Sequence, residues 1–226
     1  WARNPDGTKG ETWNPTTGCD RISPGCDHCY ALTMAGRLKR MGQAKYQNDG
    51  DPRTSGPGFA LTCHPDTLDA PLHWRKPRRV FVNSMSDLFH KDVPAAFIAE
   101  VFATMALASH HTFQVLTKRP QRMAQLVADD GDPASFVAAV ESVIMRDHPT
   151  APLTEDGDAY LIPGTWDHDG MAWPLPNVWL GTSIESDRYT FRAHHLRATP
   201  AAVRFLSLEP LLGPLPSLDL TGIDWL

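Results

Sequence analysis

The feature of this sequence that most constrains its fold is the alternation of short apolar segments with amphipathic segments of helical period. Strands are predicted at residues 11–14, 80–84, 112–117, 178–183 and 203–208, and helices at 30–41, 94–105, 120–127, 132–144 and 187–196. Repeated strand–helix units of this kind build a parallel α/β sheet with right-handed crossovers. Because residues 223–226 look like the start of one more strand, we expect a partial (βα)6 TIM-like barrel whose last strand is truncated.

We expect one domain over residues 1–226, with two irregular segments. Residues 43–77 are rich in Gly, Pro and Asp and lack periodicity, which is typical of a covering loop. Residues 147–176 are irregular and lie in an acidic region. Residues 129–169 carry ten acidic residues and one basic residue, whereas the rest of the chain carries 16 acidic and 20 basic residues. This distribution predicts an acidic insertion on a mildly basic body.

Polar or charged side chains follow the predicted strands. They are Ser84 and Asp87, Lys118 and Arg119, Ser183 and Glu185, and Glu209. Because parallel α/β folds place their sites at the carboxyl ends of the strands, these residues predict a pocket on one rim. Lys and Arg there suit a carboxylate or phosphate, and Glu suits an amino group, ribose hydroxyls or proton transfer. Each carboxylate could instead cap a turn or balance a helix dipole.

Three of the four cysteines, Cys19, Cys26 and Cys29, lie in the loop after the first predicted strand, with the spacing C-x6-C-x2-C. Three thiolates can hold three irons of an iron–sulfur cluster and leave the fourth iron open. They can also supply three of the four ligands of a zinc ion, and Cys63 or His64 is then the candidate for the fourth. The spacing alone leaves both possibilities open.

The composition indicates an ordinary globular protein without a membrane span. No apolar run approaches the ~20 residues of a transmembrane helix, and residues 1–10 do not form an export signal. We therefore expect a cytoplasmic protein with reduced cysteines, in which a tight cysteine cluster binds metal. The sequence contains no dinucleotide-binding glycine motif, no P-loop and no GxSxG motif.

Five blocks of the sequence resemble those of the phage Gp37/Gp68-type family, which is found in bacteria and phages. The blocks are TWNPTTGCDRISPGCDHCYA, RRVFVNSMSDLFH, FQVLTKRPQRM, LPNVWLGTSIES and RFLSLEPLLGPL. The three-cysteine loop and the barrel layout are also similar to the radical S-adenosylmethionine (SAM) superfamily, which includes spore photoproduct lyase. The resemblance implies a longer chain, in which residues after Leu226 complete the last strand.

The resemblance implies a 4Fe–4S cluster on Cys19, Cys26 and Cys29, with SAM bound to the open iron. An electron donor would supply the electron that cleaves SAM, and a hydrogen atom would be taken from the substrate, for which a nucleic acid or nucleotide is the first expectation. The implied catalytic residues are Asp87, Lys118 and Glu209. The implied cofactor-binding residues are Ser84, Arg119, Ser183 and Glu185.

Two other functions remain open at this point. The first is a zinc-stabilised module of phage origin that binds nucleic acid or protein. The second is a hydrolase that uses Glu185 and Glu209, with cysteines in a structural role.

Overall fold

The computed structural model describes residues 3–4, 6–128, 131–148, 166–167 and 170–226. Most of the predicted acidic insertion at 147–176 therefore lies outside the described residues. Among the residues described, no helix is both long and apolar enough to cross a membrane.

The described chain alternates strands with helices, as the sequence predicts. The strands are β1 (Glu11–Trp13), β2 (Thr16–Thr17), β3 (Thr62–Cys63), β4 (Arg79–Val82), β5 (Thr112–Thr117), β6 (Trp166–Asp167), β7 (Gly170–Met171), β8 (Val178–Ser183) and β9 (Val203–Ser207). The α-helices are α1 (Tyr30–Arg40), α2 (Ala95–Leu107), α3 (Pro120–Val127), α4 (Ala134–Asp147) and α5 (Arg192–Ala198).

The main sheet has five strands in the order β1-β4-β5-β8-β9, and every pairing in it is parallel. The prediction of a parallel α/β fold is confirmed. The spatial order of the strands follows their order along the chain, with no reversal. A doubly wound sheet would reverse its strand order at a switch point, so this sheet is wound in one direction only.

The last residues of the sequence extend the sheet beyond β9. Trp225 forms a parallel bridge with Phe205, and the Leu206 amide donates a hydrogen bond to the Trp225 carbonyl at 3.0 Å. The rings of Trp225 and Phe205 also pack, with centroids 5.5 Å apart. A sixth parallel segment therefore begins at the edge of β9, where the sequence predicts it.

The helices bury their apolar residues in one large core. α2 is buried along most of its length and packs against α4, where the rings of Phe102 and Phe136 meet edge to face at 5.1 Å. α3 packs against α5. Each fully buried large apolar side chain stabilises such a core by roughly 1.5–3 kcal/mol.

A second, smaller cluster lies around the start of α1. Its buried members are Ala31, Ala35, Phe59 and Met85, and Cys19 and Cys29 pack against it. Phe59 comes from the predicted covering segment at 43–77. That segment contains short 3-10 turns and the two-residue β3, which pairs antiparallel with β2. The covering segment thus contributes to the packing around the cysteines.

Several boundaries differ from the prediction, two of them at the start of α5 and at the end of β4. The helix expected from Asp187 starts as a 3-10 turn at Asp187–Tyr189, and α5 begins only at Arg192. The strand expected at 80–84 ends at Val82, because Asn83 adopts a left-handed backbone with φ of 61°. Asn tolerates this conformation better than most residues, and the turn aims the following residues over the carboxyl edge of the sheet.

Candidate functional site

A cavity of about 180 Å³ opens at the carboxyl edge of the sheet, beside the ends of β4, β5 and β8. Its lining brings together many of the residues that the sequence singles out: Cys19, Cys26, Cys29, Ser84, Asp87, Lys118, Arg119 and Ser183. These residues come from four separate segments of the sequence. The parallel sheet places them together because the carboxyl ends of its strands share one edge.

The cysteine loop is held in place by its backbone. Gly18 has a φ of 84°, and a Cβ there would lie 2.1 Å from the Ala60 carbonyl oxygen, so only glycine fits. A 3-10 turn at Pro24–Cys26 follows, and Cys29 is the N-cap of α1. The loop is therefore fixed at both ends, at the covering segment and at the first helix.

All four cysteines are free, and three of them line the cavity. At least one pair of the sulfur atoms of Cys19, Cys26 and Cys29 is more than 4.8 Å apart. Among the described residues, the group of three potential ligands within 4.8 Å of one another is Asp20, His90 and Asp92, and the three cysteines do not form such a group. Thiolates on one tetrahedral zinc lie about 3.8 Å apart, given Zn–S bonds of ~2.3 Å.

Arg119 connects the first cysteine to the sheet. Its Nη1 lies 3.4 Å from the Cys19 sulfur and 2.9 Å from Asp87 Oδ2, and its Nη2 donates to the Asp20 carbonyl at 3.0 Å. The side chains of Arg119 and Asp87 are both largely buried. A guanidinium holds its donors in a fixed plane, so these three contacts fix the position of the Cys19 segment.

Asp87 accepts four hydrogen bonds from the protein. Thr117 Oγ1 and the Phe89 amide donate to its Oδ1, and the Lys118 amide and Arg119 Nη1 donate to its Oδ2. These four contacts occupy the acceptor positions of a carboxylate. The geometry therefore makes Asp87 an anchor for the loop after β5, with its hydrogen-bond-accepting positions occupied by the protein.

The Cys19 thiol has the most strongly shifted pKa at the site. Burial, together with the Asp87 carboxylate, raises the pKa of Cys19 to about 12, and Arg119 acts in the opposite direction. A metal ligand must be a thiolate, so metal binding at Cys19 has to displace this proton. The positive charge of Arg119 is positioned to favour that thiolate.

Asp20 follows Cys19 directly, and its side chain makes hydrogen bonds that the sequence did not predict. Its Oδ2 contacts His90 Nε2 at 3.0 Å, and its Oδ1 accepts a hydrogen bond from Thr54 Oγ1 at 2.7 Å. The other ring nitrogen of His90 lies 3.7 Å from Asp92 Oδ2. His90 Nδ1 also accepts a hydrogen bond from the Asp92 amide at 3.3 Å, so contacts at both ring nitrogens position the imidazole that binds Asp20.

Tyr30 and Asn83 also line the cavity and were not predicted. The Tyr30 hydroxyl donates a hydrogen bond to the Ser84 carbonyl, while 61% of the residue stays exposed. Ser84 Oγ donates to Asn14 Oδ1 at 3.2 Å. The Asn83 Nδ2 is buried without a hydrogen-bond partner in the described part of the chain. The position of Tyr30 directly after Cys29 was the available signal in the sequence.

Lys118 and Ser183 reach the cavity from the ends of β5 and β8. The Lys118 ammonium makes no hydrogen bond or ion pair with any described residue, whereas its backbone amide donates to Asp87. The Ser183 carbonyl accepts a hydrogen bond from Arg192 at 2.8 Å. Lys118 therefore presents an uncommitted positive charge to the cavity.

Glu185 lies behind the cysteine loop and is absent from the cavity lining. Its side chain is fully buried and pairs with the buried Arg192, with Oε2 and Nη1 2.8 Å apart. Arg192 also lies over the Tyr189 ring at 4.3 Å. A Cβ at Gly25 would lie 3.1 Å from the Glu185 side chain, so the pair supports the middle of the cysteine loop.

The remaining predicted residues lie away from the cavity lining. Glu209 follows β9 and is exposed. Cys63 packs against the large core, and His64 Nε2 lies 2.8 Å from Thr17 Oγ1. Neither of the two residues considered as a fourth zinc ligand joins the three cysteines.

The fold and cavity define an α/β protein with a three-cysteine loop at the carboxyl edge of a singly wound parallel sheet. The chain belongs to the family described as Protein of unknown function (DUF5131), whose model matches residues 8–226. Searches of curated proteins and of solved structures returned no match.

Proposed function

We propose that this chain is a radical SAM-type enzyme. In this proposal Cys19, Cys26 and Cys29 hold a 4Fe–4S cluster, and the cavity beside them receives SAM and a substrate. The observation that carries the proposal is the convergence of three free cysteines from one loop on a cavity at the carboxyl edge of a parallel sheet, with charged and hydroxyl side chains in its lining.

The residues present fit such a cluster. Three thiol ligands leave one iron of a 4Fe–4S cluster open, and each thiolate binds a different iron. The sulfur atoms then stand farther apart than on a single ion, and the sulfur atoms of the three cysteines do not all lie within 4.8 Å of one another. A closed zinc site needs a fourth ligand. Neither Cys63 nor His64 joins the three cysteines to supply it. When bound, the cluster and SAM would supply reductive cleavage and hydrogen-atom abstraction.

The surrounding residues would orient the ligands. Arg119 holds the Cys19 sulfur and favours its thiolate, and Asp87 holds Arg119. Lys118 offers a positive charge for a carboxylate, and Ser84 and Ser183 offer hydroxyl groups. A cavity of about 180 Å³ is smaller than the roughly 300–1,000 Å³ of typical ligand pockets, so a bound SAM would also occupy the cavity mouth.

The finer fold assignment belongs to the same proposal. The one-directional strand order and the parallel bridge at Trp225 support a partial (βα)6 barrel of the radical SAM type. The sequence basis of this assignment is the resemblance of five blocks to the phage Gp37/Gp68-type family and the similarity of the three-cysteine loop to the radical SAM superfamily. A reducing, cytoplasmic setting with an electron donor would suit four free cysteines.

Reductive SAM cleavage tests the proposal. Protein reconstituted anaerobically with iron and sulfide should be brown and should cleave SAM when a chemical reductant is added. Cys29→Ala should abolish both properties, whereas Cys63→Ala should retain them, because Cys63 packs in the large core. SAM cleavage that survives Cys29→Ala would contradict the proposal.

A further inference from the structure

The mouth of the cavity carries a fixed, exposed aromatic ring. Tyr30 lines the cavity and is 61% exposed, and its hydroxyl is tied to the Ser84 carbonyl. The hydrogen bond of the hydroxyl limits the motion of the ring, so Tyr30 loses little side-chain entropy when a ligand stacks on it. An exposed aromatic ring at a cavity mouth is a platform for another planar group.

Among the described residues, the charged side chain of the cavity lining that makes no ion pair or hydrogen bond is a positive one. The two acidic residues of the lining are engaged: Asp87 pairs with Arg119, and Asp20 contacts His90 and Thr54. The Lys118 ammonium, by contrast, has no partner among the described residues. The cavity therefore favours a ligand with an anionic group.

We propose that the cavity mouth binds a nucleotide, with its base stacked on Tyr30 and its phosphate paired with Lys118. Stacking on an aromatic ring accepts any base, and an ammonium recognises phosphate as a point charge. The proposal rests on the proposed function in that this nucleotide would be the substrate or part of it. SAM carries a base and a carboxylate but no phosphate, so it is the alternative occupant of these two contacts and is included among the probes.

Isothermal titration calorimetry on the anaerobically purified protein tests this site, with AMP, UMP, adenosine and SAM as the probes. AMP and UMP should bind with similar affinity, and adenosine should bind more weakly than AMP. Tyr30→Leu should weaken AMP binding roughly 5- to 150-fold, the range that loss of base–aromatic stacking gives. Lys118→Ala should remove the difference between AMP and adenosine.

Two matched variants control for general surface effects. Phe191→Leu removes another exposed aromatic ring, and Lys76→Ala removes another exposed lysine; neither residue lines the cavity. Both should leave AMP binding unchanged. Unchanged AMP affinity in Tyr30→Leu or Lys118→Ala would overturn the proposal, as would equal affinity for AMP and adenosine. Binding of SAM alone would assign the Tyr30 ring to the cofactor and would also overturn it.

The iron, sulfide and zinc contents of the same protein sample should be measured beside the titrations, so that the two proposals are tested separately. Nucleotide binding without iron would contradict the proposed function and leave the nucleotide site standing. A cluster-containing protein that binds none of the nucleotides would contradict the nucleotide site alone.

Discussion

The guanidinium of Arg119 lies 3.4 Å from the sulfur of Cys19, although the two residues are 100 positions apart in the sequence. The same nitrogen pairs with the buried carboxylate of Asp87 at 2.9 Å. The loop after β5 and the cysteine loop are thereby joined through one side chain. Arg119 is a positioning residue for the first cysteine.

Removing Arg119 should destabilise the protein and weaken metal binding. Arg119→Met leaves the Asp87 carboxylate buried without its charged partner, and breaking a buried pair from one side costs about 3–5 kcal/mol. Chemical denaturation measures the free energy of unfolding, and iron content after reconstitution reports on the proposed cluster. Arg53→Met is the control, because Arg53 pairs with Asp51 at the exposed surface. Equal effects of the two substitutions would contradict the role of Arg119.

The pKa of Cys19 predicts a pH dependence of the metal-free protein. Burial raises the pKa of this thiol to about 12, whereas an unfolded cysteine titrates near ~8.5. The unfolded state therefore loses its proton first, and the free energy of unfolding should fall as the pH rises above about 9. Urea denaturation of the wild type and Cys19→Ala across this range checks the prediction, since the other titrating groups are common to both. Parallel curves for the two proteins would contradict it.

Gly18 should tolerate no side chain. A Cβ at Gly18 would overlap the Ala60 carbonyl, at 2.1 Å, in addition to the strain of a φ of 84°. Gly42 has a similar φ of 75° but no atom within 4 Å of its Cβ position. Gly42→Ala should therefore cost only about 1–2 kcal/mol, the strain of a left-handed backbone, and leave metal content unchanged. Gly18→Ala should cost more and should lower the iron content. Similar losses in the two variants would show that the contact with Ala60 is unimportant.

Glu185 should act through stability. Glu185→Ala leaves the buried Arg192 without its carboxylate and should lower the free energy of unfolding by about 3–5 kcal/mol. Thermal and chemical denaturation measure this loss. The double variant Glu185→Leu with Arg192→Met replaces the pair by apolar groups, and it should recover much of the stability. A fully stable Glu185→Ala protein would contradict the structural assignment.

The sequence predicted the strands because their apolar runs are bounded by polar turns. β5 and β8 begin and end at the residues that the pattern predicts. It also predicted that the cysteine loop and the strand ends would meet, since parallel strands share a carboxyl edge. It could not predict the direction of single side chains. Glu185 follows a strand as Lys118 does, yet α5 supplies Arg192 to bury it.

The contacts of Arg119 and His90 were equally beyond sequence reasoning. The hydrogen bond from Arg119 to Cys19 and the contact of His90 with Asp20 join residues that are far apart in the chain. No local period or motif encodes such a pair, because it depends on how the loops pack over the sheet. The place of Tyr30 in the cavity lining was missed for a different reason. Tyr30 is the first residue of α1, and the sequence pattern assigned it to the helix and not to the site.

The most direct test of the account is a count of iron, sulfide and zinc in anaerobically purified protein. The account predicts about four iron and about four sulfide per chain, both lost in Cys19→Ala, Cys26→Ala and Cys29→Ala. About one zinc per chain without sulfide would contradict it, and loss of that zinc in the same three variants would identify the cysteine loop as a zinc site instead.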